Sequence, residues 1–542
     1  MSRRVAFTWR LLYFFAVSLP LTEGQFPKVC VTLDSLKSKE CCPIPKGFSA
    51  PCGSDGNRGT CQELMIREWN FTYSHYQAFQ LEDDRHDWPN ALYHKTCKCQ
   101  SNFAGYDCSK CKFGYYGNNC KQKKILTRKN FVRLSAEEKD RYMRYINMSR
   151  YSESDYVVTS TPYKVINRTV QAGGDPASLF YNVTNYDLFV WIHYFARYGT
   201  TYPNNKTHAV IDFGHEGQGF LSWHRLYMLE WERTVQEVAG DDNFSLPFWD
   251  WTSNKDERDP TIFSEDLLGV TQQEDGVVQG KYFKDWYAIC TSTVEQNETN
   301  KLTLCNPTVR RPGLERSTKK ENEIKNKTLG YTMTFPSKEE VNFALRFETF
   351  GLPPYSKVSS CNFVNILEGY ASTKTGYSLP TRYTLHNLVH IIVGGAMSEV
   401  RSASNDPIFL LHHSFVDRIF EKWLRKYNKD ASVLSILDAP IGHNRHDVLV
   451  PLFPLHTHEQ LFKKSFEFGY EYEDVDENGK SSDDEEPVQP IDLGQCPVPC
   501  PVVSAVAAIQ TCSNSCPVVS AVTGIQTCSW LMISSLALLL SD

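Results

Sequence analysis

The apolar runs at residues 11–21 and 530–540 of this 542-residue chain stop at 11 residues each, short of the ~20 that a membrane-spanning helix needs. An excess of basic charge is also absent. The 57 Lys and Arg against 63 Asp and Glu leave a net charge of −6, which argues against nucleic acid as a partner. Cysteine is missing between Cys120 and Cys290, so no disulfide staples that stretch. Hydrophobic residues at 41% and aromatics at 13% are enough to build a large core there instead.

What is present begins with a leader. Arg3, Arg4 and Arg10 precede and flank the apolar stretch 11–21, and small residues end at Gly24, so residues 1–24 read as a signal peptide cleaved before Gln25. A buried first helix is the bland alternative. Eight N-x-S/T sequons, at Asn70, Asn147, Asn167, Asn182, Asn205, Asn243, Asn297 and Asn326, support a secretory glycoprotein. So do the 18 cysteines, ten of them between Cys30 and Cys120. Residues 25–122 are expected to form a cysteine-rich module. The spacing Cys97-x-Cys99, Cys108-x-x-Cys111 and Cys120, set among Gly and aromatic residues, resembles an EGF-like module. Zinc is the competing reading of the C-x-x-C, disfavoured where thiols oxidise. Five disulfides would use all ten cysteines, in an order that sequence does not reveal.

Residues 123–470 change character to long amphipathic segments, read as mainly helical with long loops. A helix is expected from Leu221 to Val238, stopping near Gly240. Another should open at Asp406-Pro407 and run to about Lys426, with Asp as cap and Pro at the first turn. Residues 471–499, rich in Asp and Glu, read as an acidic linker. Residues 500–542 hold a repeat (500–512 recurring as 516–528) and a short apolar tail, with a glycolipid-anchor signal as one reading.

Six of the fifteen histidines form two groups. His193 lies in an apolar helical run, His215 precedes Gly217-Gln218-Gly219, and His224 sits inside the expected helix from Leu221. His386 and His390 stand at i, i+4, so on a helix they share one face, and His413 lies within another apolar helix. A histidine in such surroundings must find a partner. Imidazole suits copper, zinc and iron alike, and three ligands per metal leave positions open. Six separately satisfied core histidines are the alternative, and spacing alone does not separate His412 from His413.

These residues resemble the tyrosinase family of coupled dinuclear copper proteins, over roughly residues 25–470. The resemblance rests on Tyr186-Asp187-Leu188-Phe189-Val190-Trp191-Ile192-His193, His215-Glu216, Trp223-His224-Arg225 and Pro247-Phe248-Trp249-Asp250-Trp251. It rests also on His386-Asn387 with His390, and on Asn405-Asp406-Pro407 through His412-His413. It implies a four-helix-bundle dinuclear copper domain preceded by the small EGF-like module. His193, His215 and His224 would hold one copper, and His386, His390 and His413 the other, with His412 beside the site and O2 as co-substrate. The implied activity is hydroxylation of monophenols such as tyrosine to o-diphenols, and oxidation of o-diphenols such as DOPA to o-quinones, the first steps of melanin synthesis. Glu368 and Asn387 would position a water that takes the phenol proton; a buried salt bridge is the plain alternative for Glu368. Asp250 and Asp417 are candidates to orient imidazoles, or simply loop and helix hydrogen-bonding groups. The alternatives are a catechol oxidase only, a zinc-dependent dopachrome isomerase of the tyrosinase-related type, or a non-catalytic oxygen-carrying or adhesion protein. His412-His413 and Trp249-Asp250-Trp251 stand closer to true tyrosinases than to the zinc-binding relatives. The gap from Cys120 to Cys290 rules out the cysteine–histidine thioether of fungal and molluscan relatives near the first site. The lumen of the secretory pathway, with the melanosome or the cell exterior as destination, is the expected location, and membrane attachment stays open. Cys290 and Cys305 are expected to pair, leaving Cys361 without an obvious partner.

Overall fold

The computed structural model describes residues 24–64, 85, 88–201, 208–253, 259, 261–291 and 305–481, with only the backbone considered at 198–201 and 208–210. The signal peptide before Gly24, the sequons at Asn70, Asn205 and Asn297, most of the acidic linker and the C-terminal repeat lie outside the described residues. None of the five described sequon asparagines is buried.

All ten cysteines of the module are paired, as Cys30–Cys41, Cys42–Cys61, Cys52–Cys97, Cys99–Cys108 and Cys111–Cys120. A module this small buries little apolar surface, and these bridges take the place of a core. Cys290 pairs with Cys305. Cys361 is itself disulfide-bonded, so the expectation of a lone thiol is corrected. Counting partners within the copper domain alone had left it unpaired.

Strand β1 (Gly24–Pro27) is fully buried and pairs antiparallel with β2 (Glu153–Thr159), which pairs in turn with β3 (Tyr181–Thr184). Gly24 has to be glycine, because a Cβ there would lie 2.3 Å from the Trp88 ring. The start of the cysteine-rich region is therefore woven into the sheet of the larger domain.

Helix α1 (Ala136–Tyr151) opens on a capping box between Ser135 and Glu138. Helix α2 (Asn185–Ala196) is capped by the Thr184 hydroxyl and is buried on every side from Tyr186 to Ala196. It has no polar stripe because other elements surround it. A β-hairpin follows, β4 (Arg197–Thr201) with β5 (His208–Asp212), where the sequence had suggested only loop. Helix α3 (Phe220–Ala239) ends where expected, on Gly240 in the left-handed conformation. Short α4 (Phe363–Glu368) and α5 (Leu385–Val393) precede α6 (Ile408–Tyr427). At the start of α6 the Asp406 carboxylate accepts from the Ile408 N–H and also grips the Arg316 guanidinium through both oxygens. Helix α3 packs against α1, α2, α4 and α6, while α5 packs on α4.

Behind the histidines, α3 and α6 are tied by buried charge. Arg225 donates to Asp417 (2.6 Å) and Glu421 (3.2 Å), and Asp417 also accepts from the Tyr470 and Tyr472 hydroxyls. Asp417 is thus committed away from the imidazoles. Asp250 likewise accepts from the Thr252 amide and hydroxyl in its own loop. Both residues take the plain role of the two the sequence allowed.

The acidic segment is packed at its beginning. Tyr470–Tyr472 forms a parallel pair with Leu126–Arg128, Asp474 grips Arg418, and the Lys422 ammonium reaches Ser481. Residues 471–481 therefore belong to the domain instead of a solvated linker. Runs of Asp and Glu read as solvated only when no buried cation awaits them, and here the cations sit on α6, some fifty residues away.

Candidate metal centre

Each elementary feature of the centre follows from where a ring nitrogen finds its hydrogen bond. The His224 Nδ1–H donates to the Phe220 carbonyl one turn back (2.9 Å). The His390 Nδ1–H donates to the Met397 carbonyl (2.8 Å), and the His386 Nδ1–H donates to the Glu368 carbonyl (3.2 Å) and the Asn387 side-chain oxygen (3.0 Å). His215 sits in the turn after β5, where the Asp212 carboxylate lies 3.0 Å from its Nδ1 and also accepts from the Gly214 and His215 amides. A carbonyl or carboxylate can only accept, so Nδ1 carries the proton in all four rings and Nε2 is left as a lone pair.

Those lone pairs converge. The His386 and His390 Nε2 atoms are 3.1 Å apart, and the His413 Nε2 is 3.3 Å from that of His386. Between His386 and His390 no proton is available, so the approach is repulsive unless a cation is shared. In the other group, the ligand atoms of His193, His215 and His224 lie within 4.8 Å of one another. Nε2 of His224 has no hydrogen-bond partner among the described residues.

Two further buried histidines show what a satisfied ring looks like. His443 donates from Nε2 to the Asp212 carbonyl (2.7 Å) and accepts at Nδ1 from the Gly219 amide (3.1 Å). His458 donates from Nε2 to the Gly442 carbonyl and accepts at Nδ1 from the Ser222 hydroxyl, both at 2.7 Å. The contrast with the clustered rings disposes of six separately satisfied core histidines.

The two groups touch. His413 stacks on His224 with ring centres 4.2 Å apart and planes 10° from parallel. Phe409 packs against His193 (4.7 Å) and His413 (4.1 Å), and Phe220 against His224 and His386 (4.8 Å each). Burial pushes His193, His224, His386, His412 and His413 well below the ordinary 6.5, and His390 to about 4, so these rings stay neutral and able to bind a cation at neutral pH.

His412 joins the second group, its ligand atom falling within the same 4.8 Å as those of His386, His390 and His413. Its ring lies flat on that of His386, centres 4.9 Å apart and 15° between planes.

Glu368 ends α4 and is buried. One carboxylate oxygen accepts from the Glu216 amide (2.6 Å), and the other has no partner among the described residues. The Asn387 side-chain nitrogen is unpartnered too. Burial pushes the Glu368 carboxyl well above its usual range, and the Glu216 amide pulls it partly back. No described cation pairs with it directly, so the salt-bridge alternative is not what the fold builds. Gly369, at φ +105°, lets α4 turn here; a Cβ would come within 2.1 Å of the Thr384 carbonyl.

A cavity of about 530 Å³ opens onto His193, His215, His386, His390 and Asn387. That is within the size range of small-molecule sites. On its wall Glu216 holds two cations, Arg197 (2.9 Å) and Lys357 (2.8 Å).

Asp212 is the residue that reading the sequence missed. Burial alone would raise its carboxyl, but the His215 ring, Arg197 and the Gly214 amide outweigh burial and hold it well below the usual range. Its place three residues before His215 was the available signal. Asp212→Ala is expected to weaken metal binding by about 10- to 100-fold, because the His215 ring loses the group that orients it. Chelator competition measures this, and an unchanged affinity would show that His215 needs no such support.

The family model for the common central domain of tyrosinase matches residues 183–426, and that for the laminin EGF domain matches residues 51–124. Tyrosinase of Gallus gallus is 38% identical over 479 residues, covering 86% of each chain. Tyrosinase of Canis lupus familiaris is 37% identical over 476 residues, 86% of this chain and 84% of that one. The 5,6-dihydroxyindole-2-carboxylic acid oxidase of Bos taurus is 34% identical over 473 residues, 85% of each chain. With both histidine trios inside the matched region and full-length relatives at this level of identity, the chain belongs to the tyrosinase family.

Proposed function

We propose that this chain is a copper-dependent monophenol monooxygenase and o-diphenol oxidase acting on phenols and catechols such as tyrosine and DOPA. The observation that carries the reading is the meeting of the His386, His390 and His413 Nε2 atoms at 3.1 and 3.3 Å, with Nδ1 of His386 and His390 already committed to carbonyls. His193, His215 and His224 hold one copper, and His386, His390 and His413 hold the other. His413 is preferred to His412 because its Nε2 aims at the convergence point and its ring bridges to His224. All-imidazole trios suit copper, and each leaves open positions. The four helices that present most of these rings, α2, α3, α5 and α6, are read as the four-helix bundle of the copper domain.

Bound copper supplies the dioxygen and electron-transfer chemistry. The protein supplies the rest. The cavity admits a phenol to the face shared by the trios, and Phe220 and Phe409 keep the space between them apolar. Asn387 and Glu368 present an amide nitrogen and a carboxylate oxygen with no other partner, suited to hold the water that receives the phenol proton. The boundaries 25–122 for the EGF-like module and from 123 onward for the copper domain go with this reading. The paired cysteines fit an oxidising lumen, and we place the protein in the secretory pathway, bound for the melanosome or the cell exterior. Among the described residues no helix is long and apolar enough to cross a membrane.

The test is oxygen uptake by the full chain, made in a secretory host and loaded with copper, with tyrosine and with DOPA, alongside metal analysis. Two coppers per chain with turnover of both substrates is the expected result. Turnover of DOPA alone would make it a catechol oxidase, and two zincs with dopachrome loss but no oxygen uptake would make it an isomerase.

A further inference from the structure

The cavity over the histidines carries three cations, and two are spoken for: Arg197 and Lys357 both pair with Glu216. The third, Arg401, is half-buried and forms no ion pair or hydrogen bond among the described residues. Its backbone is not adrift. The Met397 carbonyl is held by the His390 ring, and the buried Ser402 donates from its hydroxyl to the Ala396 carbonyl and from its amide to the Glu399 carbonyl. The backbone that carries this guanidinium is thus held at a cavity wall that also carries His390, and among the described residues no carboxylate pairs with it. A guanidinium matches a carboxylate through two parallel N–H donors. Glu399, exposed at the same rim and also without an ion-pair partner among the described residues, disfavours a purely anionic ligand and suits a neighbouring ammonium.

We propose that Arg401 is a specificity-determining residue that binds the carboxylate of phenolic amino acids, so that the site prefers these to phenols without a carboxylate. The inference rests on the functional reading above and adds to it the group that distinguishes one phenol from another.

The experiment compares the copper-loaded full chain with R401Q and R401K on L-DOPA, dopamine and 4-methylcatechol, by oxygen uptake. In the wild type kcat/KM is expected to favour L-DOPA over dopamine. In R401Q that ratio is expected to fall by about tenfold, mainly through the KM of L-DOPA, and R401K is expected to recover part of it. A ratio unchanged in R401Q, or an equal loss on all three substrates, overturns the proposal. Calorimetric binding of L-DOPA and dopamine to the metal-free proteins gives a second readout. If the wild type turns over no catechol yet still prefers L-DOPA in binding, and R401Q does not, the oxidase reading falls while the role of Arg401 stands. If wild type and R401Q bind the two compounds alike, Arg401 reads no carboxylate.

Discussion

His386→Gln is expected to lower the copper content from two to one per chain and to reduce turnover of both tyrosine and DOPA by on the order of a thousandfold or more, since the two ions act as a unit. The expectation comes from geometry. The His386 Nε2 is the common neighbour of the other two, 3.1 Å from His390 and 3.3 Å from His413. Loss of this ring removes the centre of the trio and leaves two imidazoles on separate helices. The metal-free variant should be at least as stable as the metal-free wild type, because it no longer buries a lone pair facing other lone pairs. Thermal unfolding without copper checks this and separates loss of ligation from misfolding. His412→Ala supplies the comparison and should retain both coppers. If His412→Ala loses a copper and His413→Ala does not, the assignment within the adjacent pair is reversed.

The second large effect is expected at Glu368. Glu368→Gln should lower tyrosine hydroxylation by about a hundredfold and DOPA oxidation by less than about tenfold. A free phenol ionises near pH 10, so at neutral pH its proton has to be taken from it. Glu368 is held in place by one hydrogen bond from the Glu216 amide, which a glutamine oxygen would also accept. The substitution therefore changes the proton acceptor while leaving the fold's own contact in place. Because burial raises the Glu368 carboxyl above its usual range, its basic form appears only as pH rises through that raised value. The monophenol rate should accordingly climb with pH on a limb that Glu368→Gln lacks. Equal losses on tyrosine and DOPA would remove Glu368 from proton transfer and leave it a structural anchor for the Glu216 turn.

Much of the candidate site was legible in the sequence. Apolar periodicity brought out the helices around His224 and His413, and the i, i+4 spacing of His386 and His390 required one helix face. Cysteine density announced a stapled module, though the pairing waited for the fold. Other features left no such trace. Three of the four Nδ1 anchors are backbone carbonyls, of Phe220, Met397 and Glu368, and a carbonyl looks the same whatever residue bears it. The hairpin that turns the chain back toward His215 carries no periodicity strong enough to separate it from loop.

The sequence by itself determined which side chains could bind a metal and which chemistry they suit, because imidazoles in apolar helices have few other uses. Only the tertiary structure decided which nitrogen of His215, His224, His386 and His390 faces inward, and that His412 and His413, about 100° apart around one helix, point differently. It also decided that Asp212 rather than Asp250 or Asp417 orients one of the clustered imidazoles, and that Arg401 meets the cavity with no ion-pair partner among the described residues. These outcomes depend on hydrogen-bond acceptors and charges brought together from distant segments, and such contacts exist only once the chain has packed.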